Sequence, residues 1–222
     1  MSNLYGPRIV TDGLVLHLDA GNRKSYPGSG STWYDLSASG NNGTLSNPPT
    51  YSTASGGIFD FNGDANRVDA LNPLTTEQEF TYSIWVNPDV IATTNQGILG
   101  RDAGANYRIE ATSGYGWRVV LSFARRTMEY FDLNPNNWTN LVFMVKSSVA
   151  YIYLNGNLEL SYSFSATVSH ASNLWIGQGY YDDTTVNSHF DGKIGVFSIY
   201  NTYLTTDKIT QNYNALKGRY GL

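Results

Sequence analysis

Residues 149–162 read VAYIYLNGNLELSY, two alternating runs on either side of Asn155-Gly156. That dipeptide suits a two-residue type I′ turn, because both central positions need positive φ and Asn and Gly adopt it at little cost. The turn then dictates a register. Tyr153 should face Leu158, Tyr151 should face Leu160, and Val149 should face Tyr162. Those six residues share an apolar, aromatic face, while Ile152, Glu159, Ala150 and Ser161 fall on a mixed one. One covered and one wetter face is what an outer hairpin of a two-sheet sandwich needs.

The same period of two recurs along the chain. In FTYSIWVNP, Phe80, Tyr82, Ile84 and Val86 fall on one face, and Thr81, Ser83, Trp85 and Asn87 on the other, the pattern of a half-buried strand. LVFMVK repeats it with Leu141, Phe143 and Val145. Further strands are expected over 107–111, 118–123, 173–177 and 193–200, with polar loops near 20–32, 38–57, 62–70, 100–106 and 180–190. One helix is legible near the end, in LTTDKITQNYNALKG. Thr205 is its N-cap, Ile209, Tyr213 and Leu216 form its apolar stripe, and Gly218 is expected to end it in the left-handed conformation. Such a helix is expected to dock at the sandwich edge. Many short strands with turns between them predict an all-β sandwich or jelly roll in one domain spanning residues 1–222. The segments 1–12 and 217–222 are candidate docking arms.

Composition excludes several function classes. Hydrophobic residues are 41% and charged ones 14%, too apolar and too weakly charged for disorder. Net charge is −4 and Arg125-Arg126, like Arg23-Lys24, is an isolated basic pair rather than a basic field, so no nucleic-acid partner is expected. No apolar run reaches membrane-spanning length, and MSNLYGPRIV lacks the regions of a signal peptide. There is no cysteine, which leans away from a secreted eukaryotic module. The sequons at Asn42 and Asn137 are therefore read as chance.

Taken in order, several stretches resemble one superfamily. EFTYSIWVNP (79–88) resembles a strand of laminin G-like and pentraxin-like domains. NWTNLVFMV with AYIYLNGNLE resembles their Trp strand and following hairpin. LWIGQG (174–179) resembles their next strand, and FDGKIGVFSIYNTYLTTDKITQNYNA (190–215) their closing strand and helix. The opening GLVLHLDAGNRKSYPGSGSTWYDLSASGNNGTL, with FDFNG after it, resembles the version found in structural proteins of tailed bacteriophages of marine and cyanobacterial hosts. The resemblance implies a concanavalin A-like jelly roll of two antiparallel sheets. It also implies a capsid-decoration, tail or fibre protein at the virion surface, partnered by other virion proteins and by further copies of itself in a homo-oligomer. In such domains the Trp loop packs over a sheet edge. Trp33 and Leu36 are then plugs and Asp35 a cap of backbone N–H groups, the alternative being a cation held by Asp19, Asn22 and Asp35.

Candidate chemistry is sparse. Glycosidases need two carboxylates across the scissile bond. Only Glu77 and Glu79 are close in sequence, and both precede their strand, so no enzyme is expected. His17, His170 and His189 are scattered and no nucleophile-elbow motif occurs. By resemblance, calcium ligands would come from two rim loops, Asp102 and Asn106 in one, Asp182 and Asp183 in the other. Solvated acids are the plainer reading of both. Host-surface carbohydrate would be held by Tyr180 and Tyr181, or by Tyr115 and Trp117, since rim aromatics give sugars a platform. Tyrosine serves protein interfaces equally well.

Overall fold

The computed structural model describes residues 7–90, 95–100, 107–113, 115–121, 126–127, 130–179 and 188–222. Its strands run β1 (Leu14–Asp19), β2 (Thr32–Trp33), β3 (Gly43–Ser46), β4 (Thr50–Ser52), β5 (Ile58–Asn62), β6 (Arg67–Leu71), β7 (Phe80–Pro88), β8 (Gln96–Gly100) and β9 (Tyr107–Thr112). Then follow β10 (Gly116–Leu121), β11 (Arg126–Thr127), β12 (Thr139–Lys146), β13 (Val149–Leu154), β14 (Asn157–Ser163), β15 (Asn173–Ile176), β16 (Gln178–Gly179), β17 (Ser188–His189), β18 (Asp191–Tyr200) and helix α1 (Thr206–Leu216). The expected strands appear within the described residues, residues 122–123 of one of them lying outside these. Strands β3, β4 and β6 also form where polar loops were expected: β4 is an edge strand, while β3 and β6 lie inside sheet II and bury only the side chains of Leu45, or of Val68 and Ala70, among mostly polar neighbours.

Two antiparallel sheets face each other. Sheet I has the order β14-β13-β12-β7-β18-β5-β4, with β1 continuing beside β18. Sheet II has the order β11-β10-β9-β8-β15-β6-β3-β2. Between them lies one core that includes Trp33, Phe59, Phe80, Phe143, Val119 and Trp117. In β7 the residues Phe80, Tyr82, Ile84 and Val86 point into it, as period two predicts.

The other face of β7 is also buried, which corrects the half-buried reading. The cause is α1, which lies on the outer face of sheet I rather than at the sandwich edge. Ile209 and Leu204 pack there on Val142, Met144, Tyr153 and Tyr200. Thr205 caps the helix, its hydroxyl accepting the Lys208 N–H at 3.4 Å. The helix does not stop at Gly218. It tightens into a 3₁₀ turn, Lys217–Tyr220, and the left-handed residue is Gly221 at φ 78°. The described parts of the candidate arms, residues 7–12 and 217–222, belong to the same layer. Val10 donates its N–H to Asn212 at 2.7 Å, and Tyr220 is buried against Trp85.

The 149–162 hairpin also departs from its simple register. Tyr153 pairs with Leu158, as the turn requires. A bulge then makes Glu159 the extra residue, so Ile152 pairs with Leu160, Tyr151 with Ser161 and Ala150 with Tyr162. Pairing with β12 sets Ile152 beside Phe143 and Ala150 beside Val145, so both enter the main core, and Tyr153 joins the layer under α1. Both faces are apolar because both are covered.

Candidate functional site

The β9–β10 hairpin builds the most exposed aromatic feature in the described structure. Alternation sends Tyr107, Ile109 and Ala111 of β9, and Trp117, Val119 and Leu121 of β10, into the core. Arg108, Glu110 and Arg118 face outward, with Arg118 directly opposite Glu110. Glu110 is 2% exposed, and two arginines share its oxygens. Arg108 Nε donates to Oε2 at 2.6 Å, and Arg118 donates to Oε1 from Nη2 at 2.6 Å and from Nε at 3.0 Å. Arg118 reaches on, donating from Nη1 to the Tyr130 hydroxyl at 3.2 Å with its guanidinium 5.7 Å from that ring's centre. Tyr130 then stacks on Tyr115, centroids 5.6 Å apart and planes at 24°. The two rings are 40% and 69% exposed. A buried ion cluster thus holds an exposed tyrosine pair by one rigid side chain.

Tyr115 was legible from the sequence, but Tyr130 was not, since it lies 15 positions away and meets Tyr115 only because Phe131 bridges back to Trp117. Trp117 is a correction: it is 2% exposed and packs edge-on to Phe190, so it is core and not platform. Asp102, Asn106, Tyr180, Tyr181, Asp182 and Asp183 lie outside the described residues. The ends of the last segment are placed, however. The β16–β17 ribbon crosses the outer face of β8 so closely that a Cβ on Gly97 would sit 2.1 Å from the Gly179 nitrogen. Gly97 pairs with Glu110, so the ribbon emerges beside the ion cluster.

The stretch from Gly13 to Leu45 packs against the protein itself. Trp33 is fully buried, edge-on to Phe59 at 4.9 Å. Asp35 accepts the N–H groups of His17 and Ser37, each at 2.8 Å, and of Asn41 at 3.0 Å. Asp19 accepts from Gly21 and from Arg219, and Asn22 from Lys24. The three oxygen donors are thus each turned to separate protein donors. Among the described residues no group of three His, Asp or Glu is placed to hold a metal. Asn155 and Gly156 form the expected turn, at φ 51° and 82°.

A cleft of about 290 Å³ opens at one end of the sandwich, lined by Gln78, Glu79, Ser147, Ser148, Phe164 and Val168 among others. Its rim is the β12–β13 turn, where Ser147 and Ser148 both adopt left-handed φ, 50° and 58°. Two consecutive non-glycine residues there cost about 1 kcal/mol each. Glu79 holds the turn through Oε1, which accepts the Ser147 N–H at 3.0 Å and its hydroxyl at 3.2 Å.

A laminin G-type family model described as the concanavalin A-like lectin/glucanases superfamily matches residues 61–210, more than half of the chain. The chain belongs to the concanavalin A-like lectin/glucanases superfamily. No curated protein sequence matches significantly. Among solved structures, domain 4 of an extracellular arabinanase from Geobacillus stearothermophilus, in complex with arabinotriose, superposes with a TM-score of 0.69 at 18% identity. That match covers 92% of this chain and all of that domain. A Trypanosoma rangeli sialidase in complex with sialic acid gives 0.72 at 15% identity, covering 96% of this chain but 35% of the sialidase. The binding domain of botulinum neurotoxin serotype D gives 0.71 at 14% identity, covering 92% and 52%. At these identities the likeness is one of fold.

Within this concanavalin A-like sandwich His17 and His170 make internal contacts. His17 Nδ1 lies 2.8 Å from Ser198 Oγ, but both side chains are buried. His170 links the Glu77 carbonyl, at 2.7 Å, to the Tyr107 hydroxyl, at 2.9 Å. Burial lowers the pKa of His17, against the opposing pull of Asp19 and Asp35, and burial also lowers those of His170 and His189. The unfolded chain therefore takes up protons near pH 6.5 that the folded chain refuses, and unfolding is favoured as pH falls below that value. Stability should be full above about pH 6.5 and decline toward pH 5. Guanidinium midpoints across that range test this, and His17→Gln should flatten the decline.

Proposed function

We propose that this chain is a non-catalytic carbohydrate-binding jelly roll that engages glycans through the Tyr115–Tyr130 platform. The observation that carries the reading is the exposed, stacked pair held by Arg118 from a buried carboxylate. Rigid aromatic faces bind the apolar side of a sugar ring at small entropic cost, and flanking polar groups orient its hydroxyls. The whole-domain likeness to an arabinotriose-bound domain supports this. So does the state of Glu110, whose oxygens are both taken by arginines and which is paired across the sheet with Arg118 and Gly97. A glycan array probed with calcium and again with EDTA tests the reading. Tyr115→Ala should weaken any binding about tenfold, equivalent to about 1.4 kcal/mol of lost stacking. Unchanged binding would move the site elsewhere. A calcium requirement would assign a role to Asp182 and Asp183.

The finer reading is a structural protein at the surface of a tailed-phage virion, docked on capsid, tail or fibre, with the platform reaching host glycans. The order of motifs from Gly13 to Ala215 supports it. Antibodies raised against the protein should label intact particles, and unlabelled particles would reject it.

A further inference from the structure

We infer that the cleft at the Ser147–Ser148 turn is a second binding site, for a ligand carrying a protonated primary amine on a compact carbon frame. Four observations converge on it. First, Glu79 lines the cleft with a lone negative charge. Its Oε1 is committed to Ser147, while Oε2 has no hydrogen-bond donor and no Lys or Arg pairs with it among the described residues. The adjacent cation, Lys146, is directed away, its Nζ 4.2 Å from the Tyr203 ring centre. Second, the Ser148 hydroxyl has no partner among the described residues, although the Ser148 carbonyl accepts the Phe164 N–H at 2.9 Å. Third, Phe164 and Val168 supply apolar wall beside the charge, while the amide of Gln78 is wholly used on Val168 and Thr76. Fourth, the turn is strained where it need not be. The next hairpin of the same sheet has the relaxed pair Asn155-Gly156, so the serines are kept at a conformational cost.

The chemistry follows from the shape and charge. An ammonium would donate to the free Glu79 oxygen and the Ser148 hydroxyl while its carbon frame lies on Phe164. At about 290 Å³ the cleft sits at the small end of ligand sites, so it takes one ring or a short alkyl chain and not an oligosaccharide. Neutral sugars lack the charge, and an N-acetyl group removes it. The site lies apart from the tyrosine platform and does not depend on the platform's function.

The test is titration of the whole protein with D-glucosamine, N-acetylglucosamine and n-butylamine, followed by the amide resonances of Ser147 and Ser148. Glucosamine or butylamine should shift both resonances saturably, and the stronger of the two shows whether the frame is a sugar or an alkyl chain. N-acetylglucosamine should not. Glu79→Gln keeps an acceptor for Ser147 but removes the charge, and should weaken amine binding at least tenfold. Ser148→Gly relieves the backbone, so it should raise the unfolding midpoint and yet weaken binding. Tyr115→Ala should leave amine binding unchanged. Equal response to N-acetylglucosamine, retention of binding in Glu79→Gln, or silence with both amines would reduce Glu79 to a solvated carboxylate and overturn the site.

Discussion

Tyr220→Ala should destabilise the protein by about 3–5 kcal/mol, while Tyr220→Phe should be neutral or mildly stabilising. Tyr220 is buried in the outer layer of sheet I, stacked on Trp85 at 4.3 Å and 18° and lying 4.4 Å from Trp138. Its place exists because residue 195 is glycine, where a Cβ would stand 2.2 Å from the Tyr220 hydroxyl oxygen. That hydroxyl is buried with no partner, so its removal relieves an unmet hydrogen bond while removal of the ring leaves a cavity. The neighbouring Arg219 anchors the same turn. It donates to Asp19 at 2.6 Å, to the Ser55 carbonyl at 2.9 Å and to the Gly57 carbonyl at 2.7 Å, joining segments 200 and 164 positions apart. Chemical denaturation of both Tyr220 variants decides the matter. Equal losses would mean that the hydroxyl, not the ring, holds the chain end.

Glu110→Ala should cost a further 3–5 kcal/mol or so, because it leaves two guanidinium groups without their shared carboxylate at a site only 3% exposed on the glutamate side. The loss should carry to the platform. Freed from Glu110, Arg118 no longer fixes the Tyr130 hydroxyl, so glycan affinity should fall even though no platform residue has changed. Glu110→Gln should lie between, since an amide accepts one arginine but offers no charge. Denaturation midpoints and glycan titrations on one set of samples test both effects. A loss under about 1 kcal/mol would mean that water screens the cluster as it does surface pairs.

These two sites differ in how far they could be read from the chain. Tyr115 is legible because a glycine-flanked aromatic at a hairpin tip has nowhere to hide. Trp117, two positions on, has the same parity and similar chemistry, yet it faces the core, because Tyr115 stands in the turn before β10 and Gly116, at φ 99°, breaks the extended alternation between them. Tyr130 and Arg118 meet through a bridge that no spacing rule encodes. Glu79 was legible only as an acid preceding a strand. Its role at the cleft depends on a turn 68 positions later.

What the sequence determined by itself is local. Period two over Phe80–Pro88, the Asn155-Gly156 turn and the Thr205 cap each depend on backbone preferences within a few residues, and each appears where those preferences put it. The tertiary structure alone decided which faces meet. Alternation cannot choose between the two apolar faces of β13, and it was the pairing of Ile152 with Phe143 on β12 together with the docking of α1 that sent Ile152 inward and Tyr153 outward. The same holds for Arg219 and Asp19, or Glu79 and Ser147. Such pairs form because packing brings distant segments together, and the free energy of that packing is a property of whole surfaces rather than of any short stretch of chain.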